Sequence, residues 1–181
     1  QERGTRPVHI PNIKSKTVAG WSNEAIFELF KTVNPDNPVR VLNDAILSGE
    51  LKGIILMAGC NNLKTFQDQA HIEITKEMLK NDVFVVTTGC NAQACAKAGL
   101  MDPANVDKYC GEGLKKFLKR IGEKANLSTG LPPTFHIGSC VDNSRAAELL
   151  MLMAEDLGVD TPKVPFVAWA TEPMSGKATS I

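Results

Sequence analysis

"DVFVVTTGCNAQACAKAGL", Asp82 to Leu100, joins two patterns at one glycine. Val83 to Thr88 is a short β-branched and aromatic run without polar alternation, as expected of a strand covered on both faces. The alanines that follow favour helix until Gly99 can end it. The stretch therefore predicts a strand, a tight turn and a helix, with Cys90 in the turn.

The same unit recurs on both sides. "GIILMAG" (Gly53 to Gly59) is an apolar run, after which Phe66, Ala70, Ile74 and Met78 recur every four residues and predict one face of a helix. "PTFHIGS" (Pro133 to Ser139) is a third strand. "NSRAAELLMLMAEDLG" (Asn143 to Gly158) is a helix with an Asn or Ser cap and a glycine stop, its methionines read as core packing. "VPFVAWA" (Val164 to Ala170) is the fourth strand, and Leu114, Phe117, Leu118 and Ile121 mark another helix. Toward the start, "SKTVAG" (Ser15 to Gly20) reads as a further strand. "SNEAIFELFKTV" is a helix capped near Ser22, and the turn "NPDNP" leads into a helix ending at Gly49. Strands apolar on both faces, alternating with helices, predict an α/β fold: a Rossmann-like open, mainly parallel sheet with helices on both faces, forming one domain over residues 1–181.

Composition narrows the function. Twenty basic residues balance twenty acidic ones, giving no electrostatic case for nucleic acid or an anionic membrane surface. Apolar runs fall far short of the roughly 20 residues a membrane helix needs, so a soluble protein is expected; its expected location is cytoplasmic. The five cysteines, at 60, 90, 95, 110 and 140, contain no Cys-x-x-Cys pair, which disfavours both a disulfide framework and a zinc ribbon.

In an open parallel sheet, ligands bind beyond the carboxyl ends of the strands. Cys60, Cys90 and Cys140 each follow a glycine or serine in such a turn, ahead of a helix whose amino terminus favours thiolate over thiol. One cysteine beside a strand is ordinarily a small buried hydrophobe. Three at equivalent points of three units are better explained as converging soft ligands for a soft metal or an iron–sulfur cluster. Cys95 and Cys110 lack that placement and are assigned to packing. His136, four residues before Cys140, is expected in the core or beside a cluster; His9 and His71 are read as terminal and helix-surface residues.

The stretches "AGCNN", "TTGC", "AKAGLM", "HIGSCVDNSRA" and "EPMSGKA", with cysteine intervals of 30 and 50 residues, resemble the C-terminal Rossmann-like domain of the catalytic subunit of the anaerobic nickel–iron carbon monoxide dehydrogenases. The resemblance runs from about Pro11 to Ile181. It implies a Ni-4Fe-4S cluster held by one histidine and five cysteines, with Cys60 and Cys90 on irons and Cys140 on nickel, and the other ligands supplied from outside this segment. It further implies that Lys177 lies beside the substrate and that Ile181 walls the place where carbon monoxide binds. The implied reaction converts carbon monoxide and water reversibly to carbon dioxide, two protons and two electrons. The implied partners are the rest of the parent subunit in a homodimer, a ferredoxin-type electron carrier, and in some settings acetyl-CoA synthase. A start at Gln1 and a stop at "ATSI" lead us to expect a fragment of a larger subunit, inactive alone. A hybrid cluster protein-like reductase of hydroxylamine or nitric oxide is the rival enzyme, but it expects closer cysteines and a glutamate where Ser175 stands. A metal-free α/β binding or assembly domain is the rival from another class.

Overall fold

A computed structural model describes residues 12, 14–62, 65–141 and 143–170. Two helices come first, Asn23–Lys31 (α1) and Arg40–Leu47 (α2). The Ser22 hydroxyl caps α1 by accepting from the Ala25 amide at 3.2 Å, as expected of serine at that position. There follow Gly53–Ala58 (β1), Gln69–Lys80 (α3), Val83–Thr88 (β2), Gly89–Lys97 (α4), Val106–Tyr109 (α5), Glu112–Lys124 (α6), Thr134–Gly138 (β3), Ser144–Leu157 (α7) and Phe166–Ala170 (β4). The four strands form one sheet in the order β3-β2-β1-β4, and every pairing is parallel. The α/β reading therefore holds.

Successive strand residues point to opposite faces, and in β1 and β2 both sets are buried: Ile54 to Met57 on the first, Phe84 to Thr88 on the second. The sheet centre is thus covered on two sides. An aromatic chain ties the helices to it: Phe84 meets Phe117 of α6 at 5.9 Å and Phe135 of β3 at 4.8 Å. Phe117 in turn meets Phe30 of α1 at 6.1 Å, and Phe135 meets Trp21 at 5.0 Å. Such tilted and edge-on pairs add about 0.5–1.5 kcal/mol each beyond the area they bury.

Three expectations are corrected. "SKTVAG" is not a strand; the segment passes the edge of β3 and is held by backbone bonds from Val18 to the Met101 carbonyl and from Trp21 to the His136 carbonyl, both at 3.0 Å. Alongside α3, the buried face is His71, Thr75 and Leu79, one residue out of step with the predicted Ala70, Ile74 and Met78; Phe66 lies ahead of the helix, 83% exposed. Polar His71 and Thr75 sit at the centre of the inner face with Leu79, while Ile74 and Met78 pack against the core at its margin, so apolar periodicity finds the covered side but misses its centre by one residue. In α7 Met153 is core, but Met151 is exposed.

Removing the centre of the aromatic chain should be costly. Phe84→Ala is expected to lose about 3–5 kcal/mol of stability, the usual range for truncating a buried phenylalanine, seen as a lower urea midpoint with an unchanged slope.

Candidate metal centre

The register of the sheet sets the cysteines. Met57 of β1 pairs with Thr87 of β2, so Ala58 and Thr88 end their strands level. Between Thr87 and Thr88 the β2–β3 ladder shifts: Thr87 pairs with His136, but Thr88 pairs with Gly138, leaving Ile137 as an extra residue. That bulge brings Gly138 level with Thr88. Cys60, Cys90 and Cys140 each come two residues after these three level positions, on adjacent strands and at one rim. Without the extra residue the third turn would slip by one, which reverses side-chain direction.

The turns themselves differ more than the sequence suggests. Gly59 (φ 99°) and Gly89 (φ 57°) take left-handed backbone that other residues rarely adopt. Cys90 lies in the first turn of α4, where helix amides favour negative charge. Cys140 precedes α7 by a short turn, and Cys60 is separated from α3 by a longer excursion, so the helix-terminus argument applies to Cys90 and not to the other two. Cys140 is exposed; Cys60 and Cys90 are half-buried.

Direct contacts hold the three turns together. A Cβ added to Gly89 would fall 2.7 Å from the Cβ of Cys140, so residue 140 lies directly over the glycine preceding Cys90. Thr88 Oγ1 donates to Asn143 Oδ1 at 3.0 Å, and Asn143 Nδ2 donates to the Cys140 carbonyl at 3.4 Å. Asn143, predicted as a cap, makes no side-chain cap bond and spends its amide on this crossing instead. On the other side, His71 Nε2 lies 3.2 Å from the Cys60 carbonyl, and its Nδ1 lies 3.2 Å from Asn91 Nδ2, the residue after Cys90. His71 is only 2% exposed and is not the helix-surface residue expected. Asn61 and Asp68 close the Cys60 excursion: Asn61 Nδ2 donates to Asp68 Oδ1 at 2.8 Å, and the Asp68 amide donates to Asn61 Oδ1 at 2.7 Å. Asp68 also pairs with Lys97 of α4. Burial pushes the Asp68 carboxyl up, but hydrogen bonds from Lys97 and Asn61 and the Lys97 charge outweigh it and leave the pKa below the usual aspartate value.

His136 is half-buried in the middle of β3 and lines a cavity of about 240 Å³ with Gly89, Ala92 and Met101. A larger cavity of about 350 Å³ is bounded by Leu118, Gly122 and the loop Asn126 to Leu131, just ahead of β3; it opens at the opposite rim and has no part in the cysteine site. Cys95 and Cys110 are buried as assigned, and desolvation pushes both thiols up to about 12, which keeps them protonated and poor ligands. Lys177, Ile181 and the "EPMSGKA" stretch lie outside the described residues, as does His9.

Neighbouring strands lie about 4.8 Å apart, so the turns after β1 and β3 are roughly 10 Å apart. A single ion with metal–sulfur bonds of about 2.3 Å cannot reach across that width. In keeping with this, no group of three or more His, Cys, Asp or Glu among the described residues could hold one metal ion. The donor set suits a polynuclear cluster that draws further ligands from elsewhere. No helix among the described residues is long and apolar enough to cross a membrane.

Comparison with known proteins shows the family. The family model described as Prismane/CO dehydrogenase family matches residues 6–181. The carbon monoxide dehydrogenase/acetyl-CoA synthase subunit beta of Moorella thermoacetica is 66% identical over the whole chain, and carbon monoxide dehydrogenase 2 of Carboxydothermus hydrogenoformans is 49% identical over the same span. This chain covers 27% and 28% of those two proteins, so it spans about a quarter of their length. A solved structure of acetyl-CoA synthase/carbon monoxide dehydrogenase, described for NiZn[Fe4S4] and NiNi[Fe4S4] clusters in its alpha subunits, superposes with a TM-score of 0.92 at 68% identity, over 97% of this chain and 26% of that one.

The exposure pattern makes a chemical prediction for the metal-free chain. Under native anaerobic conditions iodoacetamide should label Cys60, Cys90 and Cys140, while Cys95 and Cys110 react only after denaturant is added. Peptide mass mapping distinguishes the two sets.

Proposed function

The chain belongs to the Prismane/CO dehydrogenase family, and we propose that it is one domain of the catalytic subunit of an anaerobic carbon monoxide dehydrogenase, carrying three of the ligands to a Ni-4Fe-4S cluster. The observation that carries the reading is the level placement of Cys60, Cys90 and Cys140 on three adjacent parallel strands. The reaction is carbon monoxide plus water to carbon dioxide, two protons and two electrons, run reversibly. Cys60 and Cys90 would hold irons and Cys140 the nickel, as soft thiolates suit all three metals. When bound, the cluster supplies a site for carbon monoxide, an acidified water and storage for two electrons.

The chain's own residues have distinct tasks in this reading. Lys177 would supply an ammonium to the substrate oxygen on which negative charge develops, a donor of the kind that lowers barriers most. Ile181 keeps water from the carbon monoxide side of the pocket. His136 lines the small cavity behind Cys90 and contributes shape there. The remaining ligands come from the rest of the subunit, which in this reading is a cytoplasmic homodimer, in some settings joined to acetyl-CoA synthase, that passes its electrons to a ferredoxin-type carrier. Similarity to carbon monoxide dehydrogenases over the full chain favours this over a hybrid-cluster reductase.

The test uses the intact subunit, prepared without oxygen. Cys60→Ala, Cys90→Ala and Cys140→Ala should each lower carbon monoxide oxidation by more than about 100-fold with loss of metal, since even residues behind a ligand set cost 10–100-fold when removed. Lys177→Ala should keep its nickel and iron yet lose about 100-fold or more in turnover. Full turnover in either class of variant would overturn the assignment.

A further inference from the structure

We propose that His71 is a positioning residue that fixes the spacing between Cys60 and Cys90 through a single, hydrogen-bonded tautomer; the inference rests on the reading of those cysteines as cluster ligands. His71 stands on the inner face of α3 and is almost wholly buried, in a place where a leucine or phenylalanine would pack without desolvating a ring nitrogen. Its chemistry is therefore in use.

The tautomer follows from the neighbours. The Cys95 thiol donates to Asn91 Oδ1 at 3.5 Å and lies 3.8 Å from the Thr75 hydroxyl, which turns the amide oxygen of Asn91 toward Cys95 and its NH2 toward His71. Asn91 Nδ2 then donates to His71 Nδ1, so Nδ1 carries no proton and Nε2–H donates to the Cys60 carbonyl. Neither nitrogen is left to bind a metal. One imidazole thus joins the peptide that orients Cys60 to the side chain directly after Cys90.

A second link runs parallel to it. Asn61, next to Cys60, is bonded twice to Asp68, which adopts left-handed backbone (φ 65°) just before α3 and pairs with Lys97 at the end of α4. The start of α3 therefore grips both the Cys60 excursion and the helix that carries Cys90. Groups behind a ligand set that fix its direction are a recurring device in metal sites. Here the device is a carbonyl held by histidine.

The experiment compares three forms of the anaerobically prepared subunit. His71→Phe fills the space and makes neither bond. His71→Gln offers an amide that can donate to the Cys60 carbonyl and accept from Asn91, and Asn91→Leu frees the tautomer while leaving the ring in place. Three readouts apply: electron paramagnetic resonance of the reduced cluster, the rate at which an iron chelator strips it, and, in metal-free protein, the yield of a short bifunctional maleimide bridging Cys60 and Cys90. For His71→Phe we expect an altered resonance, iron loss about 10-fold or more faster, and a changed bridging yield. Asn91→Leu should move the same way, and His71→Gln should return toward wild type.

Wild-type resonance, chelation and bridging in His71→Phe would overturn the proposal; so would a His71→Gln protein as altered as His71→Phe, because ring shape and not hydrogen bonding would then matter. If His71→Phe does not fold, Asn91→Leu decides by the same readouts. Absence of a nickel–iron cluster from the wild-type subunit would sink the proposed function, whereas the bridging yields of the metal-free proteins judge the His71 clamp separately.

Discussion

Register is the constraint on which this molecule turns. A parallel ladder leaves little freedom in where each strand stops, because a slip of one residue reverses every side chain beyond it. β1 and β2 end level, and the single extra residue at Ile137 brings β3 into step with them. Three cysteines far apart in sequence then start from equivalent points. Backbone pairing thus does most of the positioning before any side chain contributes, and the hydrocarbon packed on both faces of β1 and β2 keeps that pairing from shifting.

Polar contacts finish the work at short range. On one side Thr88, Asn143 and the close approach at Gly89 hold the third turn against the second. On the other, His71, Asn91, Asn61, Asp68 and Lys97 hold the first turn against α4. The two sets use different chemistry for different distances: Cys140 lies directly over Gly89, where no side chain could fit, while the Cys60 excursion needs an aspartate and a histidine to bridge it. Desolvating those polar groups is a standing cost, offset only because each has found a partner.

Much of this is legible in the sequence, and the misses have separate physical causes. The strands showed themselves as unalternating β-branched runs, and glycines marked the turns. The helix after β1 is legible, but the centre of its inner face lies one residue beyond the apolar repeat. Periodicity counts apolar residues, and α3 buries His71 and Thr75 toward the site while Ile74 and Met78 are only partly covered. Asn143 was legible as a cap and is used as a crosslink. The bulge at Ile137 left no trace, since "FHIGSC" reads as an uninterrupted strand entering a turn; only pairing with β2 reveals the extra residue. In α3 and at Asn143, where local pattern and observed structure part, a polar side chain faces the cysteine rim.

β4 carries a consequence of another kind. It is the last strand of the sheet among the described residues, and Val167 and Trp169 are 56% and 48% exposed along it. Among the described residues no strand pairs with its outer edge, and an unpaired edge beside an exposed indole is a template for an extended peptide. Left uncovered, such an edge is a sticky seam, and dilution guards against copies of the chain joining along it.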